Sequence, residues 1–141
     1  ENRELAAWIA AAGIAPRCHL LGRRSDMARI QASLDVGTLS SVAVEALPLA
    51  IGEAMACGVP CVVTDVGDSA RLVGDTGRVV APADAAALAA AWLDLLSLPD
   101  ADRAGLGQRA RRRIAEHYAL PDVVDSYEAL YDRLGAGPCA D

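Results

Sequence analysis

The chain has 141 residues, enough for one domain with a core of its own and too few for two. Hydrophobic residues make up 53% of it, which excludes a disordered class, and no apolar run reaches the ~20 residues that cross a bilayer. The net charge is -6 and every basic residue is arginine, so the footprint of a general nucleic-acid binder is missing.

In chain order, residues 2–12 read as a helix stopped by Gly13 and Pro16. Residues 17–21 are a short apolar run closed by Gly22, the pattern of a buried strand. Ser25 or Asp26 can cap a helix running to about Ser33. Residues 35–40 predict another strand, with Gly37 its weak point. Pro48 stands at a permitted first helical position, and the helix it opens ends at Gly58 and Pro60. Residues 61–64 form a β-branched buried strand, and Asp68 can cap a short helix after it. A turn at Asp75 to Gly77 leads into a strand over 78–81. Asp84 caps an alanine-rich helix over 85–96. Asp100 or Asp102 opens a helix to about Tyr118, and Pro121 opens the last one, to about Leu134. Residues 135–141 read as a frayed tail. Continuous apolar strands alternating with helices predict an α/β fold, a parallel Rossmann-like sheet with helices on both faces, closed by C-terminal helices.

Several residues read as structural. Cys18, Cys57, Cys61 and Cys139 match no zinc spacing, and Cys57-x3-Cys61 is not a redox Cys-x-x-Cys pair, so inert reduced thiols are expected. His19 and His117 have no catalytic partner in sequence, and Trp8 and Trp92 fall among apolar helix residues, which predicts core positions. Arg109, Arg111, Arg112 and Arg113 share a helix with Glu116 and read as a solvated face.

The informative segment is Ser40 to Ser69. Glu45 and Glu53 bracket a strand-to-helix turn, and helical side chains lean toward the N-terminus, so both carboxylates can face one pocket at the helix start. That start offers free N–H groups, on Leu49, Ala50 and Leu47, and the positive end of the helix dipole. Carboxylates accept hydrogen bonds from sugar hydroxyls and a helix end accepts phosphate, so a ligand carrying both groups is expected beyond the strand C-termini.

The pattern Glu45-x7-Glu53, followed by Ala54-Met55-Ala56-Cys57-Gly58, Val59-Pro60 and Thr64-Asp65-Val66-Gly67, resembles the signature of the retaining GT-B glycosyltransferases of the group 1 type. The resemblance extends to residues 20–24, 35–41, Asp75-Thr76-Gly77 and 82–88, and so covers nearly the whole chain in order. It implies transfer of a sugar from a nucleotide-sugar, UDP- or GDP-linked, to an acceptor with retention of configuration and no metal or other cofactor. Glu45, with Ala46 and Leu47, would meet the donor sugar. Leu49 and Ala50 would lie against the diphosphate, Glu53 would hold the ribose, and Gly22, Arg23, Arg24 and Met27 would lie near the base. No residue is assigned as catalytic.

The sequence departs from the family pattern where Ala46-Leu47 replaces glycine and an aromatic, and at Arg71, where an acidic residue is common. No segment matches the family's basic pair, its acceptor-binding N-terminal domain or the first two strands of its donor domain. Residues 1–134 are therefore expected to be a partial donor domain, an excerpt or truncation inactive alone and self-associating through exposed sheet edges. The expected location is cytoplasmic, free or peripheral at the inner membrane face. Rival readings are a non-catalytic nucleotide- or sugar-binding fragment, a nucleotide-sugar epimerase and a structural remnant.

Overall fold

The computed structural model describes residues 2–135. The elements are α1 (Arg3–Ala11), a 3-10 turn (Ala15–Arg17), α2 (Met27–Gln31), β1 (Gly37–Leu39), α3 (Leu49–Ala56), β2 (Cys61–Thr64), α4 (Ser69–Val73), β3 (Arg78–Val80), α5 (Ala85–Ser97), α6 (Asp100–His117) and α7 (Leu120–Gly135). The three strands form one parallel sheet in the order β1-β2-β3, with Gly37 beside Cys61 and Val62 beside Arg78. Helices cover both faces, as the sequence predicts for continuous apolar strands.

The central strand β2 divides the core. Cys61 and Val63 pack with Ile51, Ala54 and Met55 of α3, Leu72 and Val73 of α4 and Ala110 of α6. Val62 points to the opposite face, where Ala91 and Leu95 of α5 and Leu106 of α6 enclose it. Burial pushes the Cys61 thiol up to about 12, so it behaves as a small apolar side chain. Gly37 belongs in β1 for a tertiary reason: a Cβ there would lie 2.8 Å from Cys61 Sγ and 3.2 Å from Ala54 Cβ.

Local capping explains the helix starts. Asp84 Oδ1 accepts a hydrogen bond from the Ala87 N–H at 2.8 Å, and Asn2 does the same for Leu5 at the start of α1. Asp68 occupies the N-cap of α4 without making the side-chain bond. At the far end of α4, Arg113 Nε and Nη2 donate to the Leu72 and Arg71 carbonyls at 2.9 and 2.7 Å. Of the arginine run on α6, Arg113 is thus a tie between helices, while Arg109, Arg111 and Arg112 are exposed as expected.

Several expectations are corrected. Residues 17–21 form no strand: they are a 3-10 turn and irregular chain, with Leu20 45% and Leu21 52% exposed. A strand needs a hydrogen-bonded neighbour, and among the described residues none lies beside this segment. Trp8 is 62% exposed, not core. Trp92 is partly exposed and donates its indole N–H to Thr38 Oγ1 at 2.9 Å. Gly135 ends α7 in place of opening a tail; the remaining tail residues and Cys139 lie outside the described residues. The expectation of association through sheet edges concerns β1 and β3, each three residues long.

Candidate functional site

The loop from β1 to α3 lies at the C-terminal end of the sheet, and its frame is built on β2. Thr64, the buried last residue of β2, donates its hydroxyl to the Ser41 carbonyl at 2.6 Å. The Asp68 N–H donates to the Ala46 carbonyl at 3.0 Å. Between these ties Gly67, at φ +56, lies against the Glu45 carbonyl so closely that a Cβ would come within 1.6 Å of its oxygen. The Ser41 hydroxyl donates to Glu45 Oε1 at 2.8 Å. Glu45 is half-buried, and no second partner is found for its carboxylate among the described residues. Val42 and Val44 on the same loop are exposed, the latter 97%.

Pro48 is the N-cap of α3 and not its first helical residue: its ψ of 96 is extended, and the helix begins one residue later, at Leu49. Its carbonyl accepts from the N–H groups of Ile51 and Gly52. Proline supplies no side-chain cap, so the N–H groups of Leu49 and Ala50 have no acceptor among the described residues. Unpaired N–H groups at the positive end of a helix suit an anion.

Glu53 is exposed on the next turn, and its carboxylate has no hydrogen bond or ion pair among the described residues. It stands on the wall of a cavity of about 250 Å³. Leu47, Pro48, Leu49 and Gly52 line the near side, and Leu72, Ile114 and Tyr118 the far side. One free carboxylate in an apolar cleft gives a bound molecule a fixed place for a hydroxyl donor.

The proposed base segment is tied to this helix through α2. Gln31, buried at the end of α2, donates its Nε2 hydrogen to the Ala50 carbonyl at 3.4 Å, and Cys57 Sγ, at the C-cap of α3, lies 3.6 Å from the Ala28 carbonyl. Gly22 and Met27 line a second cavity of about 550 Å³, with Asn2, Leu5 and residues 19–21. It shares no lining residue with the cavity at Glu53. Neither Arg23 nor Arg24 lines it. Arg24 is held by both oxygens of Asp26, at 2.7 and 2.8 Å. The Arg24 guanidinium holds the Asp26 carboxyl below its usual range, and the carboxylate raises Arg24 in return. This pairing is also why Asp26, at the N-cap of α2, makes no capping bond.

The structure therefore joins Leu47, Leu49 and Glu53 in one cavity, holds Glu45, which does not line it, in the clamped loop that leads into α3, and leaves Gly22 and Met27 in a separate one. Ser41, Thr64 and Gly67 fall within the segments that carry the resemblance, but sequence reasoning did not assign them the hold on the Glu45 loop that the structure shows. The Ser41-x3-Glu45 spacing is a signal only once both are known to lie in one turn.

Comparison with known proteins agrees with this architecture. The family described as Glycosyl transferases group 1 matches residues 1–98. N-acetyl-alpha-D-glucosaminyl L-malate synthase of Bacillus anthracis is 34% identical over 120 residues, covering 84% of this chain and 31% of that protein. Sucrose-phosphate synthase of Thermosynechococcus elongatus superposes with a TM-score of 0.85 at 28% identity, over 95% of this chain and 34% of that one. HepE of Anabaena, solved in complex with UDP and glucose, superposes with a TM-score of 0.81 at 26% identity, over 96% of this chain and 36% of that one. The chain spans about a third of the length of these relatives. The chain belongs to the group 1 glycosyltransferases.

Proposed function

We propose that this chain forms the donor side of a glycosyltransferase that moves a sugar from a nucleotide-sugar to an acceptor with retention of configuration. The observation that carries the reading is the start of α3. Two N–H groups without acceptors among the described residues, on Leu49 and Ala50, lie along the chain between Glu45, which has one engaged oxygen, and Glu53, whose carboxylate has no partner among the described residues. Leu49 and Ala50 would take the diphosphate, Glu53 the ribose hydroxyls, and Glu45, with Ala46 and Leu47, the sugar hydroxyls. The base would lie toward Gly22 and Met27, with Arg23 and the Arg24–Asp26 pair at its margin. The solved UDP and glucose complex of HepE supports a UDP-linked donor. In this reading the helix end and positive charge stabilise the leaving diphosphate without a metal, the acceptor is bound by other parts of the enzyme, and the work is cytoplasmic.

Calorimetric titration with UDP, GDP and ADP, each alone and as its glucose ester, tests the proposal. Selective binding of one base, even at millimolar affinity, is the expected result. A folded chain that binds none of the six would refute the donor-site reading.

A further inference from the structure

We propose that Ser41 is a positioning residue that aims the Glu45 carboxylate, and that Thr64 anchors it to the sheet; the inference rests on the donor-site reading above. Glu45 lies in a loop, where a long side chain is free to rotate unless something holds it. One hydrogen bond does so here, from Ser41 Oγ to Glu45 Oε1 at 2.8 Å. A carboxylate has two oxygens, so this bond occupies one and leaves the other directed and available to a sugar hydroxyl. The holder is itself held. Thr64 Oγ1 donates to the Ser41 carbonyl at 2.6 Å, and Thr64 is 3% exposed at the end of β2, the strand with neighbours on both sides. The chain of contacts therefore runs from the central, buried strand of the sheet through Thr64 and Ser41 to the carboxylate. The Asp68 N–H on the Ala46 carbonyl closes the loop on the other side of Glu45. A group fixed before the ligand arrives loses less freedom on binding, and its contribution appears as affinity for the sugar.

The contribution is separable from nucleotide binding, because the N–H groups of Leu49 and Ala50 and the Glu53 carboxylate do not depend on Ser41. The test compares the affinities of the 141-residue chain for UDP, GDP and ADP with those for their glucose esters, in the wild type, Ser41→Ala, Ser41→Thr, Glu45→Ala and the double variant Ser41→Ala/Glu45→Ala. For the best-bound base, Ser41→Ala should lower the preference for the sugar ester over the bare diphosphate about tenfold. Its affinity for the bare diphosphate should stay within about twofold of the wild type. Ser41→Thr, which keeps the hydroxyl, should restore the preference, and Ser41→Ala should add nothing to Glu45→Ala, which removes the oxygen that Ser41 holds. Equal losses for diphosphate and sugar ester in Ser41→Ala, no loss at all, failure of the threonine variant to restore the preference, or additive losses in the double variant would each overturn the inference alone. A wild-type chain that binds no diphosphate and no sugar ester would overturn the donor-site reading and the inference with it.

Discussion

Replacing Gly67 by alanine probes the seat of the Glu45 loop directly. Two costs act there. An L side chain at φ +56 enters the left-handed region, at ~1–2 kcal/mol. The added Cβ also meets the Glu45 carbonyl oxygen at 1.6 Å, its carbon at 2.6 Å and the Ala46 oxygen at 3.2 Å. A carbon–oxygen contact relaxes at about 3.3 Å, so the loop must retreat by more than about 1.5 Å. Both partners are backbone, so no rotamer change relieves the clash, and the retreat breaks the Asp68 N–H bond to Ala46. Overpacking of this kind costs ~1–3 kcal/mol, which brings the expected total to ~2–5 kcal/mol. Gly58→Ala is the control. Gly58 has φ +81, but the nearest atom to a methyl placed there, the Gly107 carbonyl oxygen, is 3.9 Å away, so only the conformational cost applies. Urea unfolding of the two variants gives the difference, and Gly67→Ala should be the less stable by ~1–3 kcal/mol. Equal losses in the two variants would refute the clamp.

The other expectations concern single groups. Glu53→Ala should weaken binding of the preferred nucleoside diphosphate by ~1–3 kcal/mol, the scale of a lost hydrogen bond to a charged group, as read by calorimetry; unchanged affinity in a folded variant would remove Glu53 from the site. Asp26, its carboxyl lowered by Arg24, should titrate by NMR below an ordinary aspartate. A lowered folded value means that the pairing stabilises above the unfolded pKa and is lost as the pH falls through the folded one, and Arg24→Ala should return Asp26 to the ordinary range. Under mildly alkaline conditions, thiol labelling mapped by mass spectrometry should find Cys18 and Cys57 modified and Cys61, with its thiol pushed up to about 12, protected until the chain unfolds; labelling of Cys61 at the same rate as Cys57 would contradict the packing of β2.

What was legible in the sequence and what was hidden divide along the range of the contacts involved. Helix α5 was legible because its determinants are local: an aspartate cap at Asp84 and a run of strong helix formers. The strand at Cys61 was legible because burial on both faces leaves an unbroken apolar run. The segment 17–21 also reads as apolar at Cys18, Leu20 and Leu21, although Arg17 and His19 interrupt it, yet a strand is defined by a neighbour, and no pattern within so short a segment says whether one is present. Gly37 looked like a weakness because its reason, the proximity of Cys61 and Ala54, lies in other elements.

The same division runs through the site. The Glu45-x7-Glu53 spacing and the helix start after Pro48 could be read directly, since a single loop and the helix it enters carry them. The hold on Glu45 could not, because it depends on Thr64, which lies 23 residues along the chain from Ser41. The resemblance puts Arg24 near the base, and the structure binds it to Asp26, two residues away, which leaves Arg23 as the unengaged cation of that pair among the described residues. The apolar far wall of the Glu53 cavity comes from α4 and the end of α6, and Tyr118 is fixed there partly by its hydroxyl, 3.4 Å from the Arg71 carbonyl.

The measurement that tests the donor-site reading most directly is amide chemical-shift mapping of the chain with UDP-glucose, or with the sugar ester of whichever base binds best. The largest shifts are expected on Leu49, Ala50 and Glu53, with smaller ones at Glu45 and at Gly22. Shifts confined to another surface, such as the arginines of α6, or a saturable complex that leaves the Leu49 and Ala50 amides unmoved, would contradict it.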